Sequence, residues 1–143
     1  MLAGLIVGIW LIPGPRTIGN VTFSVHTLVY SMAAMVLGFQ SVVFAVFTKT
    51  FAISVGLHPQ GSRLDRWQHV FSLEKGLLVG GVLTLIGLGG SIHALSDWGS
   101  QLYGPLDPVE TLRLIVPSIL FLIMGVQTIL SSFVISVLAI GRK

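Results

Sequence analysis

The sequence predicts an all-α membrane protein: a four-helix transmembrane bundle of two tandem helical hairpins, with a truncated first helix and a cytoplasmic interfacial helix. Hydrophobic residues make up 53% of the 143 residues and charged residues only 9%, whereas a soluble domain carries roughly 25% charged residues. Three apolar stretches also reach the length of about 20 residues that a bilayer span needs. Because so few charges do not cover a water-exposed surface, lipid is the predicted solvent.

The predicted helices form a single transmembrane domain over residues 1–143 and cover about residues 1–13, 25–55, 73–95 and 110–140. The first is short, since 13 helical residues reach roughly 20 Å and the hydrocarbon core is about 30 Å thick. We interpret it as a truncated transmembrane helix, with Met1 lying partway along the full span. A re-entrant or half-span element is the alternative.

The distribution of basic residues predicts the orientation in the membrane. Two basic residues, Arg16 and Arg113, lie on one side of the predicted spans, and six lie on the other side: Lys49, Arg63, Arg66, Lys75, Arg142 and Lys143. Cytoplasmic segments carry the excess of Lys and Arg. We therefore expect a multi-pass protein of the bacterial plasma (inner) membrane with both termini in the cytoplasm. Scattered basic residues do not form a nucleic-acid-binding patch, so no nucleic-acid partner is expected.

The two outer loops carry turn signals. Gly19-Asn20 lies between β-compatible residues and predicts a hairpin turn. In the second outer loop, Asp107 or Thr111 is a candidate N-cap for the last helix, with Pro108 in its first turn. Pro117 lies deeper in the same helix and predicts a local kink.

The chain resembles a duplicated hairpin. Gly4-Leu5-Ile6-Val7-Gly8 matches Gly76-Leu77-Leu78-Val79-Gly80, and Gly38-Phe39-Gln40 matches Gly125-Val126-Gln127. Chance similarity between apolar helices is the alternative. An amide in hydrocarbon needs a hydrogen-bonding partner, so Gln40 and Gln127 are predicted to face other helices as packing residues.

A connector around residues 62–72 is predicted to be an interfacial helix, because Leu64, Trp67 and Phe71 recur at helical spacing opposite a polar face. That face carries Arg63 and Arg66. One interpretation is a surface anchor on anionic lipid. The other is a binding site for the phosphate of a lipid, since guanidinium groups match phosphate; Lys49 and Lys75 are candidates for the same site.

Catalytic chemistry is not visible in the sequence. The four histidines are scattered, the chain has no cysteine and no Asp-x-Asp pair, and no metal site is predicted. We expect neither catalytic residues nor a cofactor in this chain.

Seven segments, taken in order, carry a resemblance to a known family: Pro13–Phe23, His26-Thr27-Leu28, Gly38-Phe39-Gln40, Phe47–Ala52, Ser72–Leu77, Gly104–Pro108 and Gly125-Val126-Gln127. Together they resemble the C-terminal membrane region of bacterial family 2 glycosyltransferases similar to dolichyl-phosphate or polyprenyl-phosphate mannose or glucose synthases. The resemblance covers essentially the whole chain.

The resemblance implies an enzyme whose cytoplasmic catalytic domain binds a sugar nucleotide and a divalent metal and transfers the sugar to a polyprenyl phosphate. That domain is missing from this sequence, so the chain is interpreted as a fragment or split subunit without activity of its own. Its expected partners are the lipid bilayer, the polyprenyl-phosphate lipid, and a catalytic domain or other membrane subunits. The alternatives are a stand-alone accessory subunit of a larger membrane complex and a small flippase for lipid-linked sugars.

Overall fold

A computed structural model describes residues 1–55, 73–100, 102–105 and 107–140. These residues form four helices and one short hairpin. The elements are α1 (Leu2–Leu11), β1 (Arg16–Ile18), β2 (Val21–Phe23), α2 (Val25–Ser54), α3 (Leu73–Ser100) and α4 (Pro108–Ile140). The predicted all-α fold with two helical hairpins is confirmed, whereas the predicted interfacial helix at 62–72 lies outside the described residues.

Three of the helices, α2, α3 and α4, are long and apolar enough to cross a membrane. Most of their large apolar side chains point away from the protein, including Phe44, Leu85 and Val137. Such exposure is unfavourable in water but costs nothing in hydrocarbon, where lipid tails are as apolar as the side chains. The fold is therefore that of a multi-pass membrane protein.

The first helix covers only part of its neighbour. α1 packs along the first half of α2 in an antiparallel hairpin, so that Gly4 lies against Ser31 and Met1 lies against Gly38, near the middle of α2. This agrees with the half-length expected from the sequence, although the helix ends at Leu11 rather than at residue 13.

The β-hairpin joins α1 to α2 at one end of the bundle. Arg16 pairs with Phe23 and Ile18 with Val21, which leaves Gly19-Asn20 as a two-residue turn. Gly19 has a φ of 61°. A positive φ at the first turn residue is what type II′ hairpins use, so the predicted turn is confirmed.

The four helices pack in the order α1, α2, α4, α3. Extensive contacts join α1 to α2, α2 to α4 and α4 to α3. The core of the described residues lies where α1, α2 and α4 meet, around Leu11, Leu28, Met32 and Leu120. Because α4 contacts both α2 and α3, it holds the two hairpins together.

The two hairpins have different registers. In the second hairpin, Gly80 lies against Gly125. In the first, the matching Gly8 lies against Met32, whereas Gly38 lies against Met1. The sequence repeat therefore does not extend to equivalent glycine contacts.

Candidate functional site

The contact between α3 and α4 is a glycine seam. A Cβ atom on Gly87 would lie 2.5 Å from the backbone nitrogen of Leu122, and Cβ atoms on Gly80 and Gly125 would each lie 2.8 Å from the other residue's carbonyl oxygen. No side chain fits at these distances. The two backbones are thus in direct contact, the arrangement that small residues permit between membrane helices.

Hydroxyl side chains line the same seam without needing partners on the other helix. Ser118 donates to the Leu114 carbonyl at 2.7 Å, and Ser132 donates to the Thr128 carbonyl at 2.8 Å. Thr84 on α3 likewise donates to the Gly80 carbonyl at 2.8 Å. Each hydroxyl is satisfied within its own helix, so it can be buried in the membrane at little cost.

One buried polar atom of α4 is unsatisfied among the described residues. Gln127 is half-buried, and its Oε1 atom is buried without a hydrogen-bond partner in the part of the chain that the structure describes. One turn later, Ser131 donates its hydroxyl proton to the Gln127 backbone carbonyl at 2.6 Å and not to Oε1. A helix-packing role for Gln127 stays a prediction.

The sequence predicted that Gln40 faces another helix. Its side chain is exposed on α2, because the predicted partner helices contact other sides of α2: α1 at Ser31 and α4 near Met32. The sequence of α2 does not indicate which side of the helix faces protein, because apolar residues occur on every side of it. The packing role of Gln40 stays a prediction, and it requires a partner beyond the described residues.

The candidate phosphate-binding residues divide into two groups. Lys49 and Lys75 are exposed near the end of α2 and the start of α3, and both helix ends adjoin residues 56–72. The structure therefore places these two lysines at the same end of the bundle. Arg63 and Arg66 lie outside the described residues, so their position relative to the lysines stays a prediction.

Aromatic and helix-capping contacts order the opposite end of the bundle. Trp98 stacks edge-to-face on Tyr103 with 5.0 Å between ring centroids, and its indole N–H donates to the Gly104 carbonyl at 3.1 Å. Asp107 caps α4, accepting a 2.8 Å hydrogen bond from the backbone N–H of Val109. The predicted cap is thus confirmed, and Trp98 and Tyr103 lie together at one end of the bundle, as interfacial aromatic residues do.

A contact between His93 and Asp97 at this end of the bundle was not predicted from the sequence. His93 and Asp97 lie one turn apart on α3, with 3.0 Å between Nδ1 and a carboxylate oxygen, and both side chains are exposed. The i,i+4 spacing was the available signal. Two residues do not make a metal centre, and the described part of the chain contains no group of three or more candidate ligands.

Comparison with family models identifies the architecture. Residues 46–139, more than half of the chain, match the model of the glycosyltransferase family 2 C-terminal transmembrane region. The chain belongs to this family. The match begins inside α2 and includes the whole glycine seam between α3 and α4. The α2 residues of the core, Leu28 and Met32, lie before it. Comparisons with curated proteins and with solved structures gave no significant match.

Membership of the family 2 transmembrane region fits a membrane-anchoring domain. Its structural basis is visible in the glycine seam and in the lipid-exposed helices.

Proposed function

We propose that this chain anchors a glycosyltransferase in the bacterial plasma membrane and presents the phosphate of a polyprenyl-phosphate acceptor at the cytoplasmic surface. The observation that carries the proposal is the basic end of a family 2 transmembrane region, where Lys49 and Lys75 flank the segment containing Arg63 and Arg66. In this proposal the chain itself forms and breaks no bond.

The chemistry of the four residues supports the acceptor role. A polyprenyl phosphate has an apolar tail that enters lipid and an anionic head that stays at the surface. Arginine forms paired hydrogen bonds with phosphate, and lysine adds a point charge. Cations next to the inner ends of α2 and α3 would therefore hold the phosphate where a cytoplasmic catalytic domain can reach it.

Binding of the acceptor by the full chain tests the proposal without any catalytic domain. The chain is reconstituted in uncharged phosphatidylcholine vesicles, and the binding of polyprenyl phosphate is compared with that of the uncharged polyprenol. We expect a preference for the phosphate. Replacing both Arg63 and Arg66 with alanine should weaken phosphate binding at least about tenfold, since each charge-assisted hydrogen bond contributes about 1.5–3 kcal/mol.

The matched control removes the same charge from the opposite end of the bundle. Arg16→Ala combined with Arg113→Ala should leave binding of the phosphate unchanged. Equal weakening by both double variants would reduce the effect to net charge, and an unaltered affinity in the Arg63 and Arg66 double variant would remove the acceptor role. The anchoring role would survive either result.

A further inference from the structure

One face of α2 is exposed along a regular stripe. Its six residues follow one another at alternating spacings of three and four: Tyr30, Ala33, Leu37, Gln40, Phe44 and Phe47. The first five are exposed, and Phe47 is half-buried. We call these six residues the outer stripe of α2. Spacing of this kind is the heptad pattern by which two helices pack side by side in a left-handed crossing.

Gln40 is the polar member of the stripe whose position is hardest to explain in lipid. It lies near the middle of a 30-residue helix, a length of about 45 Å, so the ends of the helix are too far away for its short side chain to reach water. Its amide makes no hydrogen bond within the part of the chain that the structure describes. An amide left unpaired in hydrocarbon costs several kcal/mol, so the position requires a partner.

The hydroxyl residues beside the stripe show the contrast. Ser41 donates to the Leu37 carbonyl at 2.9 Å, and Thr48 donates to the Phe44 carbonyl at 2.9 Å. Both are exposed on α2 and both are satisfied within the helix. Among these neighbours only the amide of Gln40 still needs a group from outside.

A second copy of the chain satisfies this requirement by symmetry. Copies inserted in the same orientation can pair about an axis along the membrane normal, which places each residue of the stripe at the depth of its counterpart. A glutamine amide carries both a donor and an acceptor, so two such amides can bond to each other. Leu37 and Phe44, one turn to either side, would pack against their counterparts.

We propose that two copies of this chain associate in the membrane through the outer stripe of α2, with the Gln40 amides hydrogen-bonded to each other at the centre of the contact. The polar pair fixes the register of the two helices, as one polar residue does in a coiled coil. The contact is independent of the phosphate site proposed above, because it uses the lipid-facing side of α2 rather than the basic end.

Disulfide crosslinking of the full chain in vesicles tests the contact. The chain contains no cysteine, so each single-cysteine variant reports one position. We expect that mild oxidation of Leu37→Cys and of Phe44→Cys gives covalent dimers. Two controls, Val42→Cys on another side of α2 and Leu85→Cys on α3, are also well exposed at 52% and 70% and should give only the background of random collisions in excess lipid.

The role of the amide is tested separately in the cysteine-free chain. Gln40→Leu should raise the dissociation constant of the dimer about three- to twentyfold, the effect expected for one hydrogen bond between membrane helices. Gln40→Asn, which keeps a donor and an acceptor, should retain most of the association. Membrane insertion of each variant is checked by resistance to carbonate extraction.

Three results would overturn the proposal. The stripe variants could crosslink no more than Val42→Cys and Leu85→Cys, or they could crosslink mainly to a protein other than a second copy. Alternatively, Gln40→Leu could dimerise as strongly as the unmodified chain. The last result would reject the amide pair, and the first two would reject the second copy as the occupant of the stripe.

Discussion

Replacement of Gly87 by alanine should separate α3 from α4. The added Cβ atom would lie 2.5 Å from the backbone nitrogen of Leu122 and 2.7 Å from the Ser118 carbonyl oxygen. Backbone atoms cannot rotate away, and ordinary contacts of a Cβ atom begin at 3.4 Å. The helices must therefore move apart by roughly 1 Å, at a cost of about 1–3 kcal/mol.

Gly89→Ala is the matched control on the same helix. A Cβ atom there meets nothing within 4 Å, so the same chemical change occurs without a steric conflict. Alanine favours the helix by about 0.5–1 kcal/mol at both positions. The difference between the two variants thus isolates the cost of crowding the seam.

The assay follows the distance between α3 and α4 during titration with SDS. Spin labels are attached to Leu85→Cys and Ile123→Cys, which are both exposed, and the distance is measured by pulsed electron resonance in bicelles. We expect Gly87→Ala to lower the free energy of helix separation by about 1–3 kcal/mol relative to Gly89→Ala. Equal stability of the two variants would show that the close approach at Gly87 is not a determinant of the fold.

Substitutions at three further positions probe single interactions by the same SDS titration. Gln127→Leu should be neutral or stabilising by about 1 kcal/mol, because the buried Oε1 has no hydrogen-bond partner among the described residues; a clear loss of stability would reveal a partner for the amide. Trp98→Phe removes the hydrogen bond to the Gly104 carbonyl and should cost about 0.5–1.5 kcal/mol, and an unchanged midpoint would contradict this. Asp107→Ala removes the cap of α4 and should cost about 0.5–2 kcal/mol, whereas Asp107→Asn, which keeps the accepting oxygen, should cost less; equal losses in the two variants would argue against the cap.

The positions of the spans could be predicted because each long helix carries its own signal. An apolar run alone identified α2 at 25–55, against the observed Val25–Ser54. Local chemistry also indicated the start of α4, which was predicted at about residue 110 with Asp107 or Thr111 as the cap. The helix begins at Pro108, and Asp107 supplies the cap. These features depend on residues close together in the chain.

The end of α3 was predicted too early because hydropathy was taken as the limit of the helix. The apolar run stops at Leu95, but the helix continues to Ser100. Polar residues support the added turn: His93 lies 3.0 Å from Asp97, and the Ser96 hydroxyl donates to the Ile92 carbonyl at 3.0 Å. The length of an apolar run indicates how much of a helix lies within the hydrocarbon core. The helix itself continues as far as its hydrogen bonds are made.

The neighbours of each helix could not be read from the sequence. A helix that is apolar on every side does not mark which face meets protein and which meets lipid. For this reason both glutamines were expected at helix contacts, whereas the side chain of Gln40 is exposed and that of Gln127 is half-buried. The sequence predicted the candidate phosphate site only as a set of basic residues at one end of the bundle. The separation of Lys49 and Lys75 along the chain does not determine the distance between their side chains.

Labelling of single cysteines in intact cells tests most directly whether the bundle crosses the membrane in the predicted orientation. Leu102→Cys in the outer loop, 91% exposed, should react with a membrane-impermeant maleimide added outside. Val55→Cys, which follows the end of α2 and is 56% exposed, should react only after the membrane is permeabilised. Rapid labelling of Val55→Cys in intact cells would contradict the predicted topology and, with it, the cytoplasmic position of the basic residues.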